Sequence, residues 1–212
     1  MTHFTVTVAI PADTPAHHLY GALSAALEPF SENLDVEPYV KLTAAQIAAD
    51  SEFQAFWAEL KDDNPHALLS FAEAASDWFG GELREDGNLW STWNRDGHWD
   101  WWVIGGRWAG EWLLTPGAQR ALEPERSSFG FTEESADPRR TDAARKGEIE
   151  PDSIAVSHAY IDLDGQWHHQ GRMGWFATCA EEMSYPDWAA SFTAWVQSLH
   201  ADVWLVKVDA HI

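Results

Sequence analysis

The chain has 212 residues, 45% of them hydrophobic, which is enough for one large domain with a buried core. Its 13 basic and 34 acidic residues give a formal net charge of −21, which argues against binding of bare nucleic acid or of an anionic membrane surface. Either the acidic residues form a solvated surface that keeps the protein in solution, or they act as a decoy for a basic or DNA-binding partner.

A single cysteine, Cys179, excludes an intramolecular disulfide and favours a reducing compartment, so a cytoplasmic location is expected. The first residues alternate between polar and apolar and lack the basic and apolar regions of a signal peptide. No apolar run approaches the roughly 18 residues that a membrane-spanning helix requires, so no membrane partner is expected.

The first half of the chain alternates predicted strands with predicted helices. His3 to Ile10 has the two-residue period of a strand, and Pro11 ends it. Residues 14–28 have the spacing of an amphipathic helix, and residues 34–42 indicate an extended segment. Further helices are predicted from three signals: a capping box at Thr43-Ala-Ala-Gln46, a start at Asn64-Pro65 and an end at Gly80-Gly81.

The second half contains a segment without periodicity. Residues 115–153, which hold several prolines, glycines and charged residues, are predicted to form a long loop or a partly disordered insertion. Ile154 to Leu163 has the pattern of a strand, and Asp164-Gly165 predicts a hairpin turn into a returning strand. A helix is predicted over residues 186–199 and a closing strand over residues 203–212.

These elements predict a single α+β domain over residues 1–212. Its sheet, antiparallel or mixed, is expected to hold the N- and C-terminal strands side by side, with helices packed on one face and the long loop inserted. If these two strands are antiparallel, His3 and His211 meet on the more polar face of the sheet, which Asp209 shares.

The tryptophan-rich segment from Trp90 to Trp112 is the strongest candidate for a functional surface, because it holds seven of the fourteen tryptophans. Within it, Gly105-Gly106 permits close approach by a ligand, and Arg107 suits a carboxylate or phosphate group. Two alternatives stay open: the segment is part of the hydrophobic core, or Arg107 forms an internal ion pair with Asp100.

Histidines form the second group of candidates: His3, His98, His158, His168, His169 and His211. No local spacing typical of zinc ligands occurs, so no metal ligands are predicted, and only a site assembled from distant residues such as His3, Asp209 and His211 stays open. The histidines are otherwise satisfied within the fold or act as a general acid and base. Cys179 has no neighbouring base, and no cofactor motif identifies a bound group.

A third segment, Gly165 to Phe176, holds Trp167, His168, Met173 and Trp175, and Gly171 and Gly174 flank Arg172-Met173 within it. It predicts either a tight turn that leads back to the core or a sharply bent strand with aromatic packing.

Several motifs together resemble a family of uncharacterised bacteriophage and prophage proteins. They are Thr2-His-Phe-Thr-Val6, Val36-Glu-Pro-Tyr39, Trp99-Asp-Trp-Trp-Val-Ile-Gly-Gly-Arg-Trp108, Asp142-Ala-Ala-Arg-Lys-Gly147, the segment Gly165 to Phe176, and Asp209-Ala-His-Ile212. The chain departs from the family pattern at His169, where relatives have Glu, and at Ala210, where relatives have Cys. The resemblance implies a phage-linked origin, which would place the protein in the host cytoplasm, and it implies no known activity.

Three functions follow from these patterns. The first is a phage-associated small-molecule-binding protein or small enzyme. Its Trp-lined, Arg-containing pocket holds an anionic ligand, of which a nucleotide-like molecule is one option. Its candidate catalytic residues are His3, His168, Asp209 and His211. Its candidate ligand-binding residues are Glu37, Asp100, Trp101, Gly105, Gly106, Arg107, Trp108, Lys146, Trp167, Met173 and Trp175. The second is an accessory protein that binds and inhibits a host protein, and the third, less favoured, is a virion component.

Overall fold

The computed structural model describes residues 2–63, 70–122, 137–173, 179–180 and 182–212. The chain divides into two compact units, a larger one formed by residues 1–32 with 96–212 and a smaller one formed by residues 33–95. The sequence patterns predict one domain over residues 1–212 and contain no signal for this division. Helices and sheets together make the fold α+β, as predicted.

Strands and helices alternate irregularly along the described residues. The strands are β1 (His3–Ile10), β2 (Asp35–Leu42), β3 (Glu82–Leu83), β4 (Leu89–Trp93), β5 (Trp101–Ile104), β6 (Trp112–Leu113), β7 (Arg140–Thr141), β8 (Ala143–Arg145), β9 (Ala159–Ile161), β10 (Trp167–His169), β11 (Arg172–Met173), β12 (Cys179–Ala180) and β13 (Trp204–His211). The α-helices are α1 (Leu19–Leu27), α2 (Ala44–Ala49), α3 (Ser51–Asp63), α4 (Phe71–Phe79) and α5 (Tyr185–Ser198). Short 3₁₀ helices cover Ala16–His18, Glu28–Phe30, Gly106–Trp108, Lys146–Glu148 and Pro151–Ser153.

The larger unit is built on a six-stranded sheet whose centre is formed by β1 and β13. The strand order is β10-β9-β1-β13-β5, and β8 pairs with β13 beside β5. β1 and β13 are antiparallel along their whole length, from His3 opposite His211 to Ile10 opposite Trp204. The predicted adjacency of the first and last strands is therefore confirmed.

The two faces of this sheet bury different kinds of side chain. On one face, the even-numbered residues of β1 and β13 pack against the fully buried leucines of α1, each of which contributes about 1.5–3 kcal/mol. The opposite face carries the odd-numbered residues, and α5 packs there against Tyr160 of β9. Helices therefore lie on both faces rather than on the single face predicted, because Ala159 and Ile161 of β9 join the α1 core while Tyr160 joins the α5 core.

The segment predicted as a long loop contributes ordered elements to the larger unit. β7 pairs with β6, and β8 pairs with β13, opposite Trp204 and Val206. The remaining part of this segment, residues 123–136, lies outside the described residues. The short strands within the segment carry no clear two-residue period, so the sequence does not distinguish them from a loop.

The smaller unit has a three-stranded sheet, ordered β2-β4-β3, and a core formed by Ile47, Phe53 and Leu89 with two alanines of α4. The predicted capping box of Thr43 and Gln46 is present, but it begins only the six residues of α2. Asp50 then accepts the backbone N–H of Phe53 at 2.8 Å, which starts α3 as a separate helix. The predicted helix start at residues 64–65 lies outside the described residues.

The longest described helices are α5, with 14 residues, and α3, with 13. Across the described ranges, no helix combines the length and the apolar character that crossing a bilayer requires.

Candidate functional site

His3 and His211 lie side by side at one end of the central strand pair. They are directly opposite in the β1–β13 register, and their ring centroids are 5.0 Å apart in an edge-to-face arrangement. The same register places Thr5 opposite Asp209 and Thr7 opposite Lys207. The juxtaposition of the two histidines predicted from strand alternation is therefore confirmed.

Each of these two imidazoles contacts its own carboxylate through Nδ1. His3 Nδ1 lies 2.8 Å from Asp209 Oδ1, and His211 Nδ1 lies 2.6 Å from Asp100 Oδ1. An ionised carboxylate only accepts hydrogen bonds, so it favours the tautomer with the proton on Nδ1 and leaves Nε2 as the acceptor of the neutral ring. The Nε2 atom of His211 is buried and has no hydrogen-bond partner among the described residues.

Trp101 forms one wall of this histidine pair. It is opposite His211 in the β5–β13 register, and its ring stacks on the His211 ring at 5.2 Å and 14°. Its edge-to-face contact with His3 has a centroid distance of 5.3 Å. Pairing of β5 with β13 also positions Asp100, the residue before β5, whose backbone N–H donates to the His211 carbonyl at 2.9 Å. The sequence offered an internal ion pair with Arg107 as one alternative for Asp100, but it gave no indication of the contact with His211, because sheet order cannot be inferred from the local pattern.

The two adjacent glycines approach aspartates closely. Gly105 and Gly106 both have positive φ, at 71° and 50°. A Cβ added to Gly106 would lie 2.3 Å from Asp209 Oδ2, and one added to Gly105 would lie 2.5 Å from Asp142 Oδ2. The space that the sequence predicts for a ligand beside these glycines is therefore filled by two carboxylates.

Asp209 and Asp142 bind the backbone that follows the glycines. Asp209 Oδ2 accepts the N–H of Arg107 at 2.9 Å, and Asp142 Oδ1 accepts the N–H of Gly110 at 2.7 Å. Burial raises the pKa of Asp142 to about 6, although the Gly110 hydrogen bond and the nearby Lys207 ammonium act in the opposite direction. Sequence patterns did not single out Asp142 as a site residue, since no local spacing links it to residue 105 or 110.

A buried lysine completes the polar face. Lys207 is 1% exposed and forms an ion pair with Glu111, while Thr7 on the adjacent strand shares a hydrogen bond of 2.7 Å with Ser157. Lys207 follows the same alternation that placed Asp209 and His211 on this face. That pattern was the one signal by which the sequence could have identified Lys207.

Glu32 is a further carboxylate that the sequence did not indicate. Its backbone N–H donates to the Trp99 carbonyl at 2.8 Å, which places it beside Asp100. Burial and, after it, the charge of Asp100 raise the pKa of Glu32, while Arg172 and His211 lower it. The carboxylate of Glu32 therefore lies close enough to Asp100 and His211 for their charges to act on it.

A second aromatic cluster surrounds His98. Its ring stacks on Trp167 at 4.6 Å and 9°, and His169 approaches its edge at 5.3 Å. Burial lowers the pKa of His98 to about 4, and the positive charges of His169, Arg172 and His158 add to the decrease. Trp167 therefore packs against a neutral histidine, and among the described residues its ring contacts Phe4, Phe30 and His98 rather than Trp101.

Several predicted site residues lie elsewhere. His168 is on β10, two strands from β1, where its Nε2 is 2.8 Å from Asp162 and its ring stacks on Tyr160. Lys146 donates from Nζ to the Leu199 carbonyl at 3.0 Å, near the start of β13 and so at the opposite end of that strand from His211. His168 and Lys146 are therefore both held by contacts within the fold, away from His3 and His211.

The remaining predicted residues have mixed placements. Arg107 has an exposed side chain, Trp108 is half-buried at the end of a 3₁₀ helix, and Glu37 is exposed on β2 of the smaller unit. The side chain of Met173 and all of Trp175 lie outside the described residues. The structure thus brings together His3, Asp209, His211, Asp100 and Trp101, with the backbone of Arg107.

Metal binding has no geometric support in the described ranges. Among those residues, no group of three or more His, Cys, Asp and Glu side chains is arranged to hold a metal ion. Cys179 is half-buried, and burial and the charge of Glu182 raise the pKa of its thiol, which disfavours the nucleophilic thiolate.

No protein-family model, no curated protein and no solved structure matches the chain. The resemblance to phage proteins stays a prediction, and the function of the site is argued from its geometry.

Proposed function

We propose that the larger unit binds a small anionic molecule beside His3 and His211 and exchanges protons with it. The observation that carries this proposal is the pair of adjacent imidazoles, each of which contacts its own carboxylate at Nδ1. A histidine oriented in this way is a typical general acid or base, because the carboxylate fixes the tautomer and leaves Nε2 as the proton acceptor.

The two histidines are suited to different steps. The side chain of His3 is 11% exposed and that of His211 is 5% exposed, so His3 meets an incoming ligand first. A buried polar atom without a partner costs about 1–3 kcal/mol, and a polar ligand atom beside His211 Nε2 would remove this cost. His3 therefore acts as the proton-transfer group, and His211 orients the ligand.

The surrounding side chains indicate the class of ligand. Trp101 is 36% exposed and offers a flat aromatic surface to a planar molecule. The exposed guanidinium of Arg107 suits a carboxylate or a phosphate at the rim. The nearby carboxylates of Glu32, Asp100 and Asp209 repel multiply charged groups, so a planar ligand with one anionic group is favoured over a polyphosphate.

Thermal unfolding with defined probes tests this proposal. The probes are adenosine monophosphate, an aromatic carboxylic acid such as benzoate, and inorganic phosphate as an anion without a planar part. A ligand present at about ten times its Kd stabilises the native state by about 1.4 kcal/mol, which raises the Tm of a chain of this size by about 3–6 °C.

Matched variants make the test specific. His3→Gln and His211→Gln should abolish the increase in Tm, whereas His200→Gln should preserve it, because His200 has a 77% exposed side chain outside the site. Equal increases in all three variants, or none with any probe, would contradict the proposal.

A second candidate function is favoured by exposed aromatic residues of the smaller unit. Phe71, Trp78 and Trp93 are 38%, 44% and 51% exposed, and large aromatic side chains are enriched in protein interfaces. A partner protein, of the host if the phage resemblance reflects origin, would bind there. Trp78→Ser combined with Trp93→Ser should then abolish capture of that partner, while His3→Gln should leave it unchanged.

A further inference from the structure

Asp209 contacts two different parts of the candidate site with its two carboxylate oxygens. Oδ1 lies 2.8 Å from Nδ1 of His3, and Oδ2 accepts the backbone N–H of Arg107 at 2.9 Å. Asp209 is 2% exposed, so these hydrogen bonds, rather than bulk water, satisfy the carboxylate. One buried side chain therefore joins the acid–base histidine to the segment that carries the guanidinium.

The backbone at Gly106 and Arg107 fixes what residue 209 can offer. Gly106 has a φ of 50° and no Cβ, which lets this backbone come within hydrogen-bond distance of the carboxylate. The N–H of Arg107 is a donor that cannot act as an acceptor. The atom of residue 209 that faces this N–H therefore has to be an acceptor.

The other oxygen of Asp209 orients His3. A carboxylate only accepts hydrogen bonds, so the neutral His3 ring carries its proton on Nδ1 and presents Nε2 as an acceptor. His211 has the same arrangement with Asp100, and its buried Nε2 has no hydrogen-bond partner within the described part of the chain. Both imidazoles therefore offer acceptors, and a ligand that satisfies them has to supply donors.

We propose that Asp209 is a positioning residue that makes the site selective for anionic ligands with a hydrogen-bond donor, namely an O–H or N–H group. This inference rests on the proposed function, in which the anionic group of the ligand binds at Arg107 while its donor meets Nε2 of His3. A hydroxy-substituted aromatic carboxylate has both groups and also the flat surface that suits Trp101. A ligand without the donor would leave the acceptor unpaired, and a site of this kind discriminates strongly against it.

Paired ligands test this selectivity. The probes are the ortho, meta and para hydroxybenzoates and the corresponding methoxybenzoates, which retain the ring, the carboxylate and the oxygen but lack the donor. In titration calorimetry, at least one hydroxybenzoate should bind the wild-type protein about tenfold more tightly than its methoxy counterpart. Equal affinities within every pair, or no binding by any of these compounds, would overturn the ligand class. An increase in Tm with adenosine monophosphate would still support the proposed function, so the two proposals can fail separately.

The variant Asp209→Asn distinguishes the two oxygens. Its amide has one acceptor and one donor group, and the N–H of Arg107 requires the acceptor. The amide NH₂ then faces Nδ1 of His3, which moves the ring proton to Nε2. The preference for the hydroxybenzoate should fall to within about twofold, because the hydroxy and methoxy oxygens both accept from Nε2–H. Asp164→Asn, which removes an exposed carboxylate from a turn, should retain the wild-type preference.

Nitrogen-15 NMR of the histidine rings measures the tautomers without any ligand. At about pH 8.5, where an ordinary imidazole is neutral, His3 should carry its proton on Nδ1 in the wild type and in Asp164→Asn. In Asp209→Asn the proton should be on Nε2, and an unchanged tautomer in that variant would refute the role of Asp209. If Asp209→Asn does not fold, a wild-type His3 protonated on Nε2 would by itself overturn the proposal.

Discussion

Replacing Asp142 with asparagine is expected to stabilise the protein at neutral pH, although it removes a hydrogen-bonded charge. The Asp142 carboxyl is 8% exposed, and burial raises its pKa from 3.8 to about 6. A raised pKa in the native state means that this group favours folding at low pH, and that this contribution is lost as the pH rises through about 6. Asparagine is uncharged throughout and keeps an oxygen that can accept the N–H of Gly110.

The size of the effect follows from the same pKa. A difference from 3.8 to about 6 corresponds to about 3 kcal/mol at full ionisation, which is an upper limit for the gain in Asp142→Asn. When the pH is lowered from 7.5 to 5.0, ionisation of this group should cost the wild-type protein about 1.4 kcal/mol less unfolding free energy, and the variant should show no such gain. The comparison of two pH values cancels the contributions of groups that both proteins share.

Urea unfolding monitored by tryptophan fluorescence measures this difference. Dilute protein is needed at pH 5.0, which is close to the pI of about 4.6. Asp164→Asn changes the net charge equally but at an exposed position, so its stability should follow the wild type at both pH values. If Asp142→Asn is less stable than the wild type by more than about 1 kcal/mol at pH 7.5, the attraction of Lys207 exceeds the cost of burial and the reasoning is refuted.

Three further outcomes are expected. Gly106→Ala should lower the unfolding free energy by about 1–3 kcal/mol in urea titrations, because its Cβ would lie 2.3 Å from Asp209 Oδ2, whereas Gly21→Ala, with open space around it, should not destabilise. The ring of His98 should show no NMR titration step between pH 7.5 and pH 5.5, since burial holds its pKa near 4; a step in that interval would contradict its packing against Trp167. Leu23→Ala should cost about 2–5 kcal/mol by calorimetry, and a cost below about 1 kcal/mol would mean that α1 contributes little to the core.

Strand alternation was sufficient to predict the centre of the candidate site. The two-residue period places His3 and His211 on one face, and antiparallel pairing of the terminal strands brings them together. Signals for a helix start and for a turn were similarly local. The capping box of Thr43 and the hairpin turn at Gly165 both appear in the structure. Short-range chemistry determines such features, so they can be recognised without the fold.

The partners of these histidines could not be predicted in the same way. The only partner that the sequence suggested for Asp100, as an open alternative, was Arg107, seven positions later; pairing of β5 with β13 brings Asp100 to His211. Asp142 reaches the N–H of Gly110 only because β8 joins β13. Strand order and the division of the chain into two units depend on packing between distant segments, and local periodicity carries no information about them.

The central strand pair also has a consequence for the order in which the protein folds. The contact between His3 and Asp209 joins positions separated by 206 residues, so the middle of the sheet forms late in vectorial synthesis. Until β13 emerges from the ribosome, the edge of β1 that pairs with β13 is open, which invites pairing with another chain. Residues 33–95 have their own core and three of the five α-helices described, and they can fold during this delay. The larger unit, by contrast, can complete its central strand pair only after β13 has been synthesised.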